Sequence, residues 1–189
     1  MMIAELKEIV TGKRTFSFPL LFREKITSRY DLEWKFKNLP RVFDGGSKQE
    51  IIYPREMIEN EKPMIFITTE DATILDYYAI TMSCIIDENS TFLMWFVSDL
   101  VAHQIDYKKK ELLAMYAQDV VSHQFPTEKI QRHGQIVLCV FQYRRKSVKF
   151  EDLKIADRTL FDIEKELIEK KKLELVAVGS FKVIFNPTV

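Results

Sequence analysis

The chain has 189 residues, 47% hydrophobic and 30% charged, a balance that fits a globular domain and excludes a disordered polar segment. Its 28 basic and 28 acidic side chains cancel, so the basic excess that phosphate neutralisation demands of a nucleic-acid binder is missing. Five glycines and six prolines leave little room for long linkers, while fourteen phenylalanines imply a ring-filled core or an apolar contact surface.

In chain order, residues 3–10 suit a short helix, with Ile3, Leu6 and Val10 on one face and Gly12 ending it. Residues 16–26 have strand-like composition, and Pro19 demotes them to an edge or a broken strand. The clearest alternation follows. Tyr30, Leu32, Trp34 and Phe36 point one way, and Asp31, Glu33, Lys35 and Lys37 the other, which predicts an antiparallel strand with one wet face. Asp44-Gly45-Gly46-Ser47 is a turn, since glycine accepts positive φ without steric cost. Residues 49–53 read as a short strand, and Pro54 opens a one-turn helix reaching Ile58.

Residues 63–98 read as a meander of three strands, 63–67, 74–86 and 91–98. The last is apolar on both faces, so it belongs between layers or at an interface. Ser98 or Asp99 could cap a helical turn over 100–104, and Asp106 a helix over 107–118 with Leu112, Leu113 and Tyr116 as its stripe. Residues 119–133 look irregular, and 135–143 form a long strand. The best-supported helix starts near 160. Thr159 and Asp162 fit a capping box, with Asp157 as an alternative cap. Leu160, Ile163 and Leu167 make its stripe, and Lys170-Lys171-Lys172 complement the dipole. A closing strand pair over 173–185 bends at Gly179-Ser180. The expected fold is α+β: a mainly antiparallel β-sheet of about seven to nine strands, with two or three helices in the C-terminal half. The expected organisation is one domain over 1–189, with 1–60 as a subregion.

Chemistry is sparse. His103, His123 and His133 lack any metal-ligand spacing, though His123 and His133 flank a loop containing Pro126. Gly12-Lys13-Arg14-Thr15 lacks the upstream glycine of a phosphate loop, and no GxSxG elbow occurs. Glu70-Asp71, Asp76 and Asp87-Glu88 place acids at turns, where hairpin caps are commoner than acid–base pairs. The weak catalytic candidates are therefore His123, His133 and Asp71. No metal or cofactor is expected.

Phe141, Tyr143, Arg144, Arg145 and Lys146 interleave rings with cations, as single-strand nucleic-acid sites do. Together with Trp34 and Trp95 they are the interaction candidates, tryptophan being enriched at contact hot spots. Cys84 and Cys139 lie in apolar runs without CxxC spacing, which reads as buried thiols in a reducing compartment. Acid within the first five residues argues against a signal peptide, and no apolar run approaches the roughly 18 residues of a membrane helix. These features point to a non-catalytic, cytoplasmic accessory protein of bacterial or phage type that binds another protein or a second copy of itself. The alternatives are a small metal-dependent hydrolase with dispersed acid and histidine residues, or a single-stranded nucleic-acid binder through residues 141–149.

Overall fold

The structure, a computed structural model, describes residues 6–8, 14–16, 26–27, 29–43, 51–69, 76–85, 91–126, 133–144, 148–150 and 160–184. The first half contributes β1 (Leu6–Glu8), β2 (Arg14–Phe16), β3 (Ile26–Thr27), β4 (Asp31–Lys35), β5 (Val42–Phe43), β6 (Ile52–Pro54), α1 (Arg55–Ile58), β7 (Met64–Thr68) and β8 (Asp76–Ile85). The second half contributes β9 (Thr91–Gln104), β10 (Lys109–Leu113), β11 (Gln118–Val121), β12 (His133–Arg144), α2 (Leu160–Glu169) and β13 (Glu174–Ile184). Among the described residues, no helix is long and apolar enough to cross a membrane.

Strands β1, β2 and β3 form a small sheet of their own. The other ten strands form one sheet in the order β5-β4-β7-β10-β9-β8-β12-β13-β6, with β11 also paired to β9. Among the described residues, all its pairs are antiparallel except β13 with β6. The β-branched and aromatic runs of the sequence become the centre of this order. There β12 pairs with β8 on one side and with β13 on the other, over nearly its whole length.

The sheet curls until its two ends meet. The Arg29 and Tyr30 amides both donate to the Val176 carbonyl at 2.9 Å. The Trp34 ring on β4 lies 5.8 Å from that of Phe181 on β13, and Phe36 packs edge-on against Tyr53 of β6 at 5.4 Å. This half-barrel is filled by Trp34, Phe36, Ile67, Tyr78, Met82, Leu138 and Phe181. The opposite face of its central strands carries a second core, Phe96, Val137, Phe141 and Val178, which α2 covers with Leu160, Ile163 and Leu167. Burial on both faces explains why these strands lack a polar row. The Thr91 hydroxyl accepts the Leu160 amide at 2.8 Å and so caps α2 from the sheet. At its far end the Leu173 amide donates to the Leu167 carbonyl, with Lys172 at φ 59°, the left-handed exit common at helix ends.

Several expectations are corrected. The helix over 100–104 is the end of β9, and the helix over 107–118 is β10, a turn, and β11. Leu112 and Leu113 pair across the ladder with Ala102 and Val101, and cross-strand packing overrides a weak helical stripe. Asp106 does cap backbone, but of a turn: its Oδ1 accepts the Lys108 and Lys109 amides at 2.8 and 2.7 Å. Asp99 sits at φ 60° beside a bulge, where its amide donates to the Tyr143 hydroxyl at 2.8 Å and its carboxylate accepts from it. Within the expected N-terminal helix, Leu6–Glu8 is strand. The meander is broken, because β7 pairs with β4 and β10 and not with β8. The expected bent pair over 173–185 is one strand through Gly179. In the C-terminal half the described helix is α2 alone. The expected wet face of β4 is partly closed as well: Glu33 is buried between Lys109, at 2.8 Å, and Arg41, at 3.6 Å.

Candidate functional site

Two of the sequence candidates meet. Trp95 lies mid-way along β9, where it opposes Met82 and is 6% exposed. The segment after β11 runs beside it, pinned by the Gln124 amide donating to the Met94 carbonyl at 2.7 Å. This brings the His123 ring edge-on to Trp95, with centroids 6.3 Å apart. Asp119 of β11 joins them, accepting Trp95 Nε1 at 2.8 Å through one oxygen and Lys62 Nζ at 2.8 Å through the other. Lys62 Nζ also stands 5.6 Å from the Trp95 ring, within cation–π reach.

Lys62, Trp95 and Asp119 satisfy one another within this cluster. Burial pushes the Asp119 carboxyl up, but the bonds from Lys62 and Trp95 outweigh it and hold the group below its usual range. Burial, then the Lys62 charge, push the His123 imidazole below its ordinary value, against a smaller pull from Asp119. His123 is thus neutral at pH 7, and its Nε2 is enclosed without a partner. A neutral imidazole could accept a proton, yet the carboxylate that would orient it is already committed to Lys62 and Trp95. Among the described residues, no three His, Cys, Asp or Glu side chains are grouped so as to hold a metal ion.

The remaining candidates do not join this cluster. Trp34 and Phe141 are wholly enclosed, and Tyr143 is 6% exposed, so their rings serve the two cores. Arg144 is exposed at the end of β12, opposite Asp76. His133 opens β12, paired through its backbone with Ile184, and its side chain is not among those described. Asp71 and Arg145 lie outside the described residues. Sequence reasoning missed Lys62 and Asp119, which stand 57 positions apart and carry no shared motif. It also missed Glu164, whose signal was available: a carboxyl set inside the stripe of Leu160, Ile163 and Leu167.

The thiols offer no nucleophile. Burial pushes Cys84 up to about 12. Burial and then the nearby Glu164 charge push Cys139 well above its ordinary value. Only the thiolate attacks, so Cys84, enclosed in the half-barrel, should not react with a thiol reagent at pH 8 in the folded protein and should react in denaturant. Stoichiometric labelling of Cys84 under native conditions, followed by absorbance, would show that this core opens readily.

No family model matches the sequence, and no curated protein does. Solved structures do share its fold. A carboxypeptidase Y inhibitor complexed with its cognate proteinase superposes with a TM-score of 0.66 at 15% identity, over 85% of this chain and 86% of that one. A phosphatidylethanolamine-binding protein from Plasmodium vivax gives 0.57 at 13% identity, over 83% and 86%. One from Plasmodium falciparum gives 0.58 at 13% identity, over 88% and 91%. The curled, mainly antiparallel sheet is therefore like that of the phosphatidylethanolamine-binding proteins, a likeness of fold alone.

Proposed function

We infer that this chain is a non-catalytic binding protein whose ligand is another protein. The observation that carries the reading is the turn between β10 and β11, where Met115 and Tyr116 are 67% and 65% exposed while the ionisable groups just beyond it are spent on one another. Asp119, Lys62 and Trp95 close a small polar cluster that leaves little for chemistry and much for shape. At the other end of β10, Ile105 and Tyr107 are also exposed, Tyr107 by 75%. Tyrosine is among the residues enriched as anchors of protein contacts. A structural neighbour that is an inhibitor bound to its proteinase supports the same reading. Cys84 and Cys139 are not joined in a disulfide, and they lie in different cores, which fits a reducing, cytoplasmic setting. Arg144 adds an exposed cation but no exposed ring, so stacking on nucleic acid finds no support at Phe141 or Tyr143.

The test is site-specific photo-crosslinking with a photoreactive amino acid at Tyr116, and with the same group at exposed Lys165 of α2 as the control. In extract of the source cell, Tyr116 should give one discrete protein adduct that Lys165 does not. Tyr116→Ala should then weaken binding of the purified partner by about tenfold or more, the size expected of a hot spot. Identical adducts at both positions, or adducts with nucleic acid alone, would overturn the reading. An adduct solely with a second copy would replace the foreign partner with self-association.

A further inference from the structure

Glu164 occupies a place where a carboxylate has no business. It lies on the apolar face of α2 between Ile163 and Leu167, its residue is 0% exposed, and neither carboxyl oxygen has a hydrogen-bond partner of full geometry. The Cys139 thiol of β12 gives slight help, a thiol being a weak donor. The layer beneath presents no cation among the described residues. β12 offers the Cys139 thiol, and β8 offers the Thr81 and Ser83 hydroxyls. Among the described residues it also holds apolar groups: Phe96 of β9, Val178 of β13, and Phe150. At its margin Asp99 accepts from the Tyr143 hydroxyl. On α2 itself, Asp162 and Lys165 are exposed, and Glu166 faces Lys170 at 3.9 Å.

A buried ion with no partner is among the costliest arrangements in a protein, and the group escapes by taking a proton or by returning to water. Returning to water here means moving α2. The helix has ten residues, too few to hold without tertiary packing.

We propose that Glu164 makes α2 a pH-released cover: the helix lies on the sheet while the carboxyl is protonated, and lifts when it ionises. Its release uncovers the apolar face built from Phe96, Val137, Phe141 and Val178. The sign follows from burial, which pushes the group up to about 7 from an ordinary 4.5. A carboxyl raised in the docked state holds its proton to higher pH than in the free helix. Docking is therefore strongest below the ordinary value, weakens as pH rises between the two, and levels off above the higher one.

Hydrogen exchange of the full chain, corrected for the intrinsic pH dependence of amide exchange, tests this. Between pH 5 and pH 7.5, protection of the α2 amides relative to those of β12 and β13 should fall on the order of tenfold to a hundredfold. The fall should flatten at higher pH and be absent in Glu164→Gln. A constant ratio in the parent, or an equal fall in Glu164→Gln, would overturn the proposal. Should that variant not fold, the parent's ratio decides alone.

Discussion

Trp34→Ala should be the most damaging single change in the described chain, lowering stability by about 3–5 kcal/mol. Trp34 is wholly enclosed and lies on β4, near one end of the strand order, yet its ring meets Phe181 on β13 near the other. It fills the seam along which the curled sheet closes. Phe181 and Phe36, 5.7 Å apart, would face the void, with Tyr53 against both. Rings held by strands from three parts of the chain cannot collapse into that space without shifting the strands, so the cavity persists. Against a typical stability of about 5–15 kcal/mol, such a loss leaves a marginal protein. Urea unfolding should show a much lower midpoint with an unchanged slope. A loss below about 1 kcal/mol would mean that the two ends of the sheet are not packed together in solution.

Glu164→Leu should act in the opposite direction, raising stability at pH 8 by about 3 kcal/mol, the linkage cost of burying this carboxyl. The size follows from burial pushing it to about 7 from an ordinary 4.5. The folded value is raised, so the parent loses stability as pH climbs through that window and the gap between the two proteins opens with it. Well below pH 4.5 this linkage difference should vanish, since both folded and unfolded chains then hold the proton. His123 imposes the reverse trend, being held below its ordinary value, so it destabilises as pH falls, but equally in parent and variant. Urea titrations at several pH values check this. A variant less stable than the parent at pH 8 would show that the carboxylate has a partner.

The two changes also separate what could be read in the chain from what could not. Trp34 was visible as part of an alternating run, since Tyr30, Leu32, Trp34 and Phe36 all turn out buried. That it packs against β13 was not visible, because nothing in 30–37 encodes a partner some 145 residues away, the separation of the Arg29–Glu174 bond beside it. Around α2 the stripe of Leu160, Ile163 and Leu167 lies within two turns, so the helix was legible, although its cap comes from Thr91 of the sheet and the expected caps Thr159 and Asp157 lie outside the described residues. The segment over 100–121 was not. Its short apolar stripe suits either a helix or a strand, and β9 settled the matter by offering a ladder.

Local order, then, belongs to the sequence where its pattern is long: residues near each other in the chain settle where β8, β12 and α2 fall, because propensity and periodicity act over a turn or two. The closing of the sheet, the cluster of Lys62, Trp95, Asp119 and His123, and the isolation of Glu164 arise only when distant strands pair. Pairing is a long-range bargain between apolar burial and loop entropy, and that sets which polar atoms find partners and which do not.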